Sequence, residues 1–225
     1  LNKTMIKHAI NKMKKAIHTS IALTLILCVL FTILGIGLSK QILILIGSPD
    51  SVMAPASLYL RIYFCGISFV CIYNMGSGIL RAVGDSKTPL YYLIVASIIN
   101  IILDFVFVLY FHMGVAGAGW ATFIAQGISA LLVMIKLVFS KEIYKVEFKD
   151  ISIDMPILKK IIEIGIPTAL QQSIVSFSNV IVQSYINSFG ANAVAGYTSY
   201  VKIDGFLQLP IQSFAMAITT FTGQN

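Results

Sequence analysis

An amide and a carboxylate lie one helical turn apart inside a long apolar stretch of this chain. The stretch covers residues 91–110, and its polar pair is Asn100 and Asp104. About 20 residues at 1.5 Å each match a hydrocarbon core of roughly 30 Å, and residues four apart lie on one helix face. An ionisable side chain at that depth is costly and faces a partner or a wet cavity. The pair therefore predicts either a hydrogen bond that packs helices together or a proton or cation site, and we favour the site.

The composition of the chain is that of a membrane protein. Its mean hydropathy is +0.88, and 57% of its 225 residues are hydrophobic while only 11% are charged. The net charge of +7 comes from short basic segments beside apolar runs, without the aromatic-interleaved basic patch of a nucleic-acid-binding domain. We therefore expect an all-α polytopic protein whose partner is the lipid bilayer, and no nucleic acid.

Six apolar runs are long enough to be transmembrane helices. They are predicted at about residues 19–39, 58–80, 91–110, 115–139, 161–187 and 196–222. The first is preceded by a basic amphipathic segment, residues 1–18, whose apolar positions suit a helix lying at the membrane surface. Gly165-Ile166-Pro167 is predicted to open the fifth helix, and Pro210 to bend the sixth.

No catalytic or metal-binding constellation is indicated. Cys28, Cys65 and Cys71 lie inside apolar runs without a CxxC spacing, and the spans contain no histidine. Within the spans, Asp104 and Asp204 stand alone, and Glu163 lies at the start of the fifth. We therefore predict neither an enzyme nor a metal site.

The basic residues alternate from one connection to the next. Thirteen of the 16 Lys and Arg residues lie in three segments, residues 1–18, 81–89 and 136–163. The opposite connections, residues 40–57, 111–114 and 188–195, contain only Lys40. The positive-inside rule places the basic connections, residues 1–18, 81–89 and 140–160, in the cytoplasm.

Residues 74–126 resemble the multidrug and toxic compound extrusion (MATE) family. The resemblance lies in a Leu-Arg-Ala-x-Gly-Asp-x-Lys-Thr-Pro loop, an Asn-x-x-x-Asp helix and a Gly-x-x-Gly-Ala-x-x-Ala-Thr entry, in that order. Gly165-Ile166-Pro167 and the terminal Thr222-Gly223-Gln224-Asn225 are similar to the second half of that family. Taken together, these segments extend the resemblance over essentially the whole chain.

This resemblance implies a two-lobe, twelve-helix bundle of which the chain supplies helices three to eight. Residues 1–140 would be four helices of the N-terminal lobe, residues 141–160 a cytoplasmic connector, and residues 161–225 the first two helices of the C-terminal lobe. The implied function is export of cationic or amphipathic small molecules across a bacterial or archaeal cell membrane. A proton or sodium gradient would drive it, with no other cofactor.

The resemblance also assigns the polar pair a role. Asn100 and Asp104 match a cation site of the first lobe, whose companion acid on the first helix lies outside this sequence. Another branch of the family uses a glutamate within the seventh helix, but here the only nearby acid is Glu163 at the start of that helix. This departure favours coupling in the first lobe.

Substrate contacts are not assigned by the sequence. Phe105, Phe107, Tyr110 and Met75 could line a drug site, although helix packing is the preferred interpretation for each. A lipid-linked oligosaccharide flippase of similar two-lobe architecture is the alternative function. It would be expected to carry more cationic residues than the Arg61 and Lys202 found here.

Overall fold

The computed structural model describes residues 3–45, 50–187 and 189–224, and these residues form helices without any strand. The α-helices are α1 (Lys3–Leu45), α2 (Asp50–Ala82), α3 (Lys87–Asp104), α4 (Gly114–Val138), α5 (Met155–Asn187) and α6 (Ala191–Gln224). A π-helical segment, Phe105–Tyr110, continues α3, and a short 3-10 turn, Phe148–Asp150, lies between α4 and α5. The predicted all-α class is confirmed.

Four of these helices are long and apolar enough to cross a bilayer. The candidate spans are Lys7–Ile44, Met53–Ala82, Lys87–Tyr110 and Gly114–Val138. The chain is therefore a multi-pass membrane protein, as predicted. Helices α5 and α6, at 33 and 34 residues, exceed the roughly 20 residues that a span requires, but polar side chains interrupt their apolar runs. Their assignment as spans stays a prediction.

All six α-helices begin before the apolar runs that predicted them, and for two of them the difference changes the expected arrangement. Helix α1 is continuous from Lys3, where a surface helix followed by a span was expected, because neither Gly nor Pro interrupts residues 3–34. Helix α5 begins at Met155, so Pro167 lies inside it and does not open it. Pro156 occupies the first turn of α5, where a missing N–H costs little because that turn has no intrahelical acceptor for it.

The chain divides into two compact units, Leu1–Asp154 and Met155–Asn225. In the first unit, α2 packs against both α1 and α4, and α3 packs against α4. The buried core cluster of this unit consists of Ile17, Ile21, Tyr73, Leu80, Ala130, Val133, Leu137 and Val146. In the second unit, α5 and α6 contact each other.

The turn between α2 and α3 contains the predicted Gly84-Asp85 pair. Gly84 has a φ of 90°, a backbone conformation that favours glycine. The Thr88 N–H donates to Asp85 Oδ1 at 3.0 Å, and the Tyr73 hydroxyl donates to the Pro89 carbonyl at 2.9 Å. These bonds fix the start of the helix that carries Asn100 and Asp104.

Candidate ion-coupling site

Asn100 and Asp104 lie in the last two turns of α3, four residues apart on one face and half-buried. Two of their side-chain atoms, Asn100 Nδ2 and Asp104 Oδ1, are buried but have no hydrogen-bond partner among the described residues. A buried polar atom without a partner costs about 1–3 kcal/mol, and more when the group is charged. Both atoms are therefore free to bind something that the described part of the chain does not provide.

The chemistry of the two atoms is complementary. Asp104 Oδ1 is an acceptor that can take a proton or coordinate a cation, whereas the Asn100 amide can donate to a carboxylate. An interhelical packing bond, the other interpretation of this pair, requires a partner on a neighbouring helix. Helix α4, which packs against α3, supplies none for these two atoms. Within the described residues the packing interpretation therefore has no partner to support it, and the proton or cation site stays a prediction.

The helix widens immediately after Asp104. Phe105–Tyr110 is a π-helix, in which the Phe111 N–H donates to the Val106 carbonyl five residues earlier at 3.0 Å. Short π-helical stretches occur frequently at functional sites. The sequence of this segment, FVFVLY, contains no Gly or Pro that would have indicated the transition from α-helix to π-helix.

Gly117 of α4 makes room for the π-helical segment. A Cβ atom at Gly117 would lie 3.0 Å from Phe107 Cβ and 3.1 Å from the Phe107 carbonyl carbon. Such separations are too short for an unstrained contact. The Gly-x-x-Gly pattern that begins α4 therefore allows α4 to approach the widened helix just beyond Asp104.

The aromatic and Met candidates for a drug site do not form one group. Met75 packs against the core cluster, and Phe107 faces Gly117, so both are packing residues. Phe105 and Tyr110 are exposed, at 62% and 79%, on the outer surface of the first unit. Only these two remain available to a substrate, a lipid or another helix.

Among the other polar residues of the predicted spans, Ser77 also has a buried Oγ without a partner in the described part of the chain, whereas Arg61 and Asp204 are hydrogen-bonded and Lys202 is exposed. Arg61 Nε donates to Ser39 Oγ at 3.2 Å, so this side chain also ties α2 to α1. Asp204 Oδ2 accepts from Gln208 Nε2 at 3.0 Å on its own helix, and Lys202 is exposed. Among the described residues, no three His, Cys, Asp or Glu side chains come together as they do around a metal ion.

Asp85 is the acid of the α2–α3 turn, outside the spanning segments. Partial burial raises the pKa of this carboxyl, but hydrogen bonds from the Thr88 side chain and backbone outweigh that effect. The nearby Lys136 charge and a hydrogen bond from the Lys87 N–H lower the pKa further, so the pKa of Asp85 lies below its ordinary value. Asp85 is therefore a charged structural residue of the turn.

Comparison with known proteins identifies the family. The family model MatE matches residues 7–106 and 167–225, which is most of the chain. The chain belongs to the MatE family. The match includes both Asn100 and Asp104, and it confirms the resemblance found in the sequence.

Several curated proteins and solved structures are similar to this MatE chain. The probable multidrug resistance protein YpnP of Bacillus subtilis (strain 168) is 32% identical over 97% of this chain and 49% of its own length. The multidrug export protein MepA of Staphylococcus aureus (strain bovine RF122 / ET3-1) is 25% identical over 93% of this chain and 46% of its own. A solved outward-facing structure of a multidrug resistance MATE family transporter of the MOP superfamily is 30% identical, with a TM-score of 0.82 over 92% of this chain and 46% of that one. The chain thus spans about half the length of its relatives.

Proposed function

We propose that this chain is part of a secondary active multidrug efflux transporter. It would exchange cationic or amphipathic compounds for protons or sodium ions across the cell membrane of a bacterium or archaeon. Membership in the MatE family and similarity to proteins named for multidrug resistance and export support this proposal. Residues 1–140 would form four helices of the N-terminal lobe, 141–160 the connector, and 161–225 the first two helices of the C-terminal lobe.

One observation supports the coupling mechanism: in the part of the chain that the structure describes, Asp104 Oδ1 is buried without a partner on a candidate membrane-spanning helix, one turn from the similarly unpartnered Asn100 Nδ2. A lone charge is costly there, so a carboxylate is stabilised by a bound proton or cation. Occupancy changes the local charge by one unit. If the inward-open and outward-open states bind that ion with different affinity, occupancy shifts the equilibrium between them.

The proposed orientation of the chain in the membrane follows from the charges of its connecting segments. Positive-inside places residues 1–18, 81–89 and 140–160 on the cytoplasmic side, so α3 runs outward and Asp104 lies in its outer half. An ion entering from outside would then reach Asp104 through the outer half of the bilayer. This is the direction in which a proton or sodium gradient normally drives antiport.

The oligosaccharide flippase is the weaker alternative. A flippase for an anionic lipid-linked substrate needs free cationic side chains, yet Arg61 Nε is engaged with Ser39. The other cations within the predicted spans are Lys136, near the cytoplasmic end of its span, and Lys202. The unpartnered acid and amide favour cation coupling over binding of an anionic lipid.

Transport by the full-length protein in proteoliposomes tests this proposal. We expect an imposed proton or sodium gradient to drive transport of a fluorescent cationic dye, and an ionophore that collapses that gradient to stop it. Dye transport that is indifferent to both gradients, or gradient-independent movement of a lipid-linked sugar, would contradict efflux by antiport.

A further inference from the structure

A buried histidine joins α1 to the segment between α4 and α5. His18 is only 4% exposed, and its Nδ1 lies 2.8 Å from the Lys14 carbonyl oxygen. The backbone N–H of Glu147 donates to the other ring nitrogen, Nε2, over a longer distance of 3.4 Å. Because Nε2 accepts, the proton of the neutral ring resides on Nδ1, which donates to Lys14. The contacts therefore fit the neutral imidazole.

The neighbouring residues of α1 hold the same segment. Thr19 Oγ1 donates to the Ser152 carbonyl at 3.4 Å and accepts from the Asp154 N–H at 3.1 Å. Lys15 Nζ lies 2.9 Å from Asp154 Oδ2. One turn of α1 thus binds two points of this segment, at Glu147 and at Ser152–Asp154.

The segment is also anchored by its own apolar residues. Val146 is fully buried in the core cluster, and its N–H donates to the Leu137 carbonyl of α4 at 3.0 Å. Tyr144 and Ile151 pack against the same cluster. Residues 144–154, hereafter the docked connector, are therefore part of the first unit and not a free linker.

Charged residues of α1 and of the docked connector flank the contacts that His18 makes. On its own helix, Lys14 and Lys15 precede it, and Lys15 is already paired with Asp154. In the docked connector, the Glu147 carboxylate lies 3.3 Å from Lys145 Nζ. Asp154 and Glu147 therefore each have a cationic partner.

The adjoining helices bring more positive charge to the same end of the unit. Arg81 follows Leu80, and Lys136 precedes Leu137, two residues that share the core cluster with Ile17. A second proton would place Nε2–H against the Glu147 N–H, donor against donor. It would also place a charge on a side chain that is only 4% exposed, which is unfavourable without a new partner.

We propose that His18 is an acid-sensitive latch that holds the docked connector on α1 while neutral and releases it when protonated. Histidine ordinarily changes its charge between about pH 5 and 8. The docked connector leads directly into α5, so its release lengthens the free chain between the two units. Cytoplasmic acidification would then alter the tether between units independently of the ion site at Asp104.

Hydrogen exchange in the full-length protein tests the latch without measuring transport. Peptides that contain Val146 and Glu147 would be compared at about pH 8 and about pH 5.5, with labelling times scaled for the intrinsic pH dependence of exchange. We expect protection of these amides to fall by about fivefold at the lower pH. Peptides from α4 should not change. Unchanged protection of the docked connector in the wild-type protein would overturn the proposal, whatever any variant does.

Three substitutions identify the titrating group. His18→Gln keeps an acceptor but cannot be charged, so protection should no longer depend on pH. His8→Gln changes an exposed histidine of the same helix and should behave like the wild type. Glu147→Gln should keep the pH response because the backbone N–H, and not the carboxylate, contacts the ring. Loss of the response in Glu147→Gln or His8→Gln, or its survival in His18→Gln, would assign the effect to another group and refute the latch.

Discussion

Adding one methyl group at Gly76 tests the packing of α2 on α4. A Cβ atom there would lie 2.7 Å from Val133 Cγ1 and 3.3 Å from Leu137 Cδ1. Both of these side chains are fully buried in the core cluster, so neither can move into open space. Overpacking of this kind costs about 1–3 kcal/mol, against which the better helix propensity of Ala returns up to about 1 kcal/mol.

Gly78 provides the matched control, because it lies on the same helix with no atom within 4 Å of its added Cβ. We expect Gly78→Ala to leave the thermal unfolding midpoint of the detergent-solubilised protein unchanged or raise it, and Gly76→Ala to lower it. Val133→Ala should partly rescue Gly76→Ala, with a coupling of about 1 kcal/mol in a double-mutant cycle. Equal midpoints for the two glycine variants would refute the close approach of these helices.

Three further predictions address topology, the α2–α3 turn and the widened helix. In a background without the native cysteines, Lys145→Cys should react with an impermeant thiol reagent only from the cytoplasmic side and His112→Cys only from outside, and the reverse pattern would invert the orientation. Asp85→Asn should destabilise the protein at neutral pH, because the Asp85 carboxyl has a lowered pKa in the folded state and its charged form therefore stabilises the fold. That stabilisation is fully present above the unfolded-state pKa of about 4 and is lost as the pH falls through the folded-state pKa. Thermal unfolding that separates wild type from Asp85→Asn equally at neutral and strongly acidic pH would contradict this. Deletion of Val108 should convert the π-helix to an α-helix and abolish efflux. Deletion of His112, in the following turn, should shorten the same connection and preserve efflux. Equal efflux by the two deletion variants would show that the π-helix is dispensable.

Local features of the chain were predictable from its sequence. Asn100 and Asp104 share a face because helical periodicity depends only on residues a few positions apart. The Gly84-Asp85 pair indicates the α2–α3 turn, because the positive φ of Gly84 and the hydrogen bond from the Thr88 N–H to Asp85 both depend on residues a few positions apart. Apolar run length likewise identified the four helices from α1 to α4.

The features that the sequence did not predict depend on contacts between residues far apart in the chain, or on prolines that are compatible with more than one helix start. The contact of Thr19 with Asp154 joins positions 135 residues apart, so no local pattern shows that the docked connector is part of the first unit. Both Pro156 and Pro167 could have opened α5, and the family motif pointed to the wrong one. The π-helix after Asp104 has no marker, because aromatic and β-branched residues fit either helix type.

Substitutions of Asp104 and Asn100 should impair ion coupling to different degrees. Asp104→Asn keeps the volume and polarity of the side chain but can neither exchange a proton nor offer charge to Na⁺. Because Asp104 Oδ1 has no partner among the described residues, the change breaks no bond there, and stability should move by less than about 1 kcal/mol. Asn100→Ala removes an amide whose Nδ2 has no partner among the described residues, so it breaks no bond seen there either. We expect efflux to weaken less than in Asp104→Asn, because the carboxylate that takes up the ion remains.

Gradient-driven dye efflux by Asp104→Asn, in proteoliposomes at equal protein content, tests the coupling role of Asp104 most directly. The matched control is Asp204→Asn, since Asp204 already has Gln208 as a partner. We predict background efflux for Asp104→Asn, reduced efflux at limiting ion gradient for Asn100→Ala, and near-normal efflux for Asp204→Asn. Near-normal gradient-driven efflux by Asp104→Asn would contradict the coupling role and leave the pair as a packing contact.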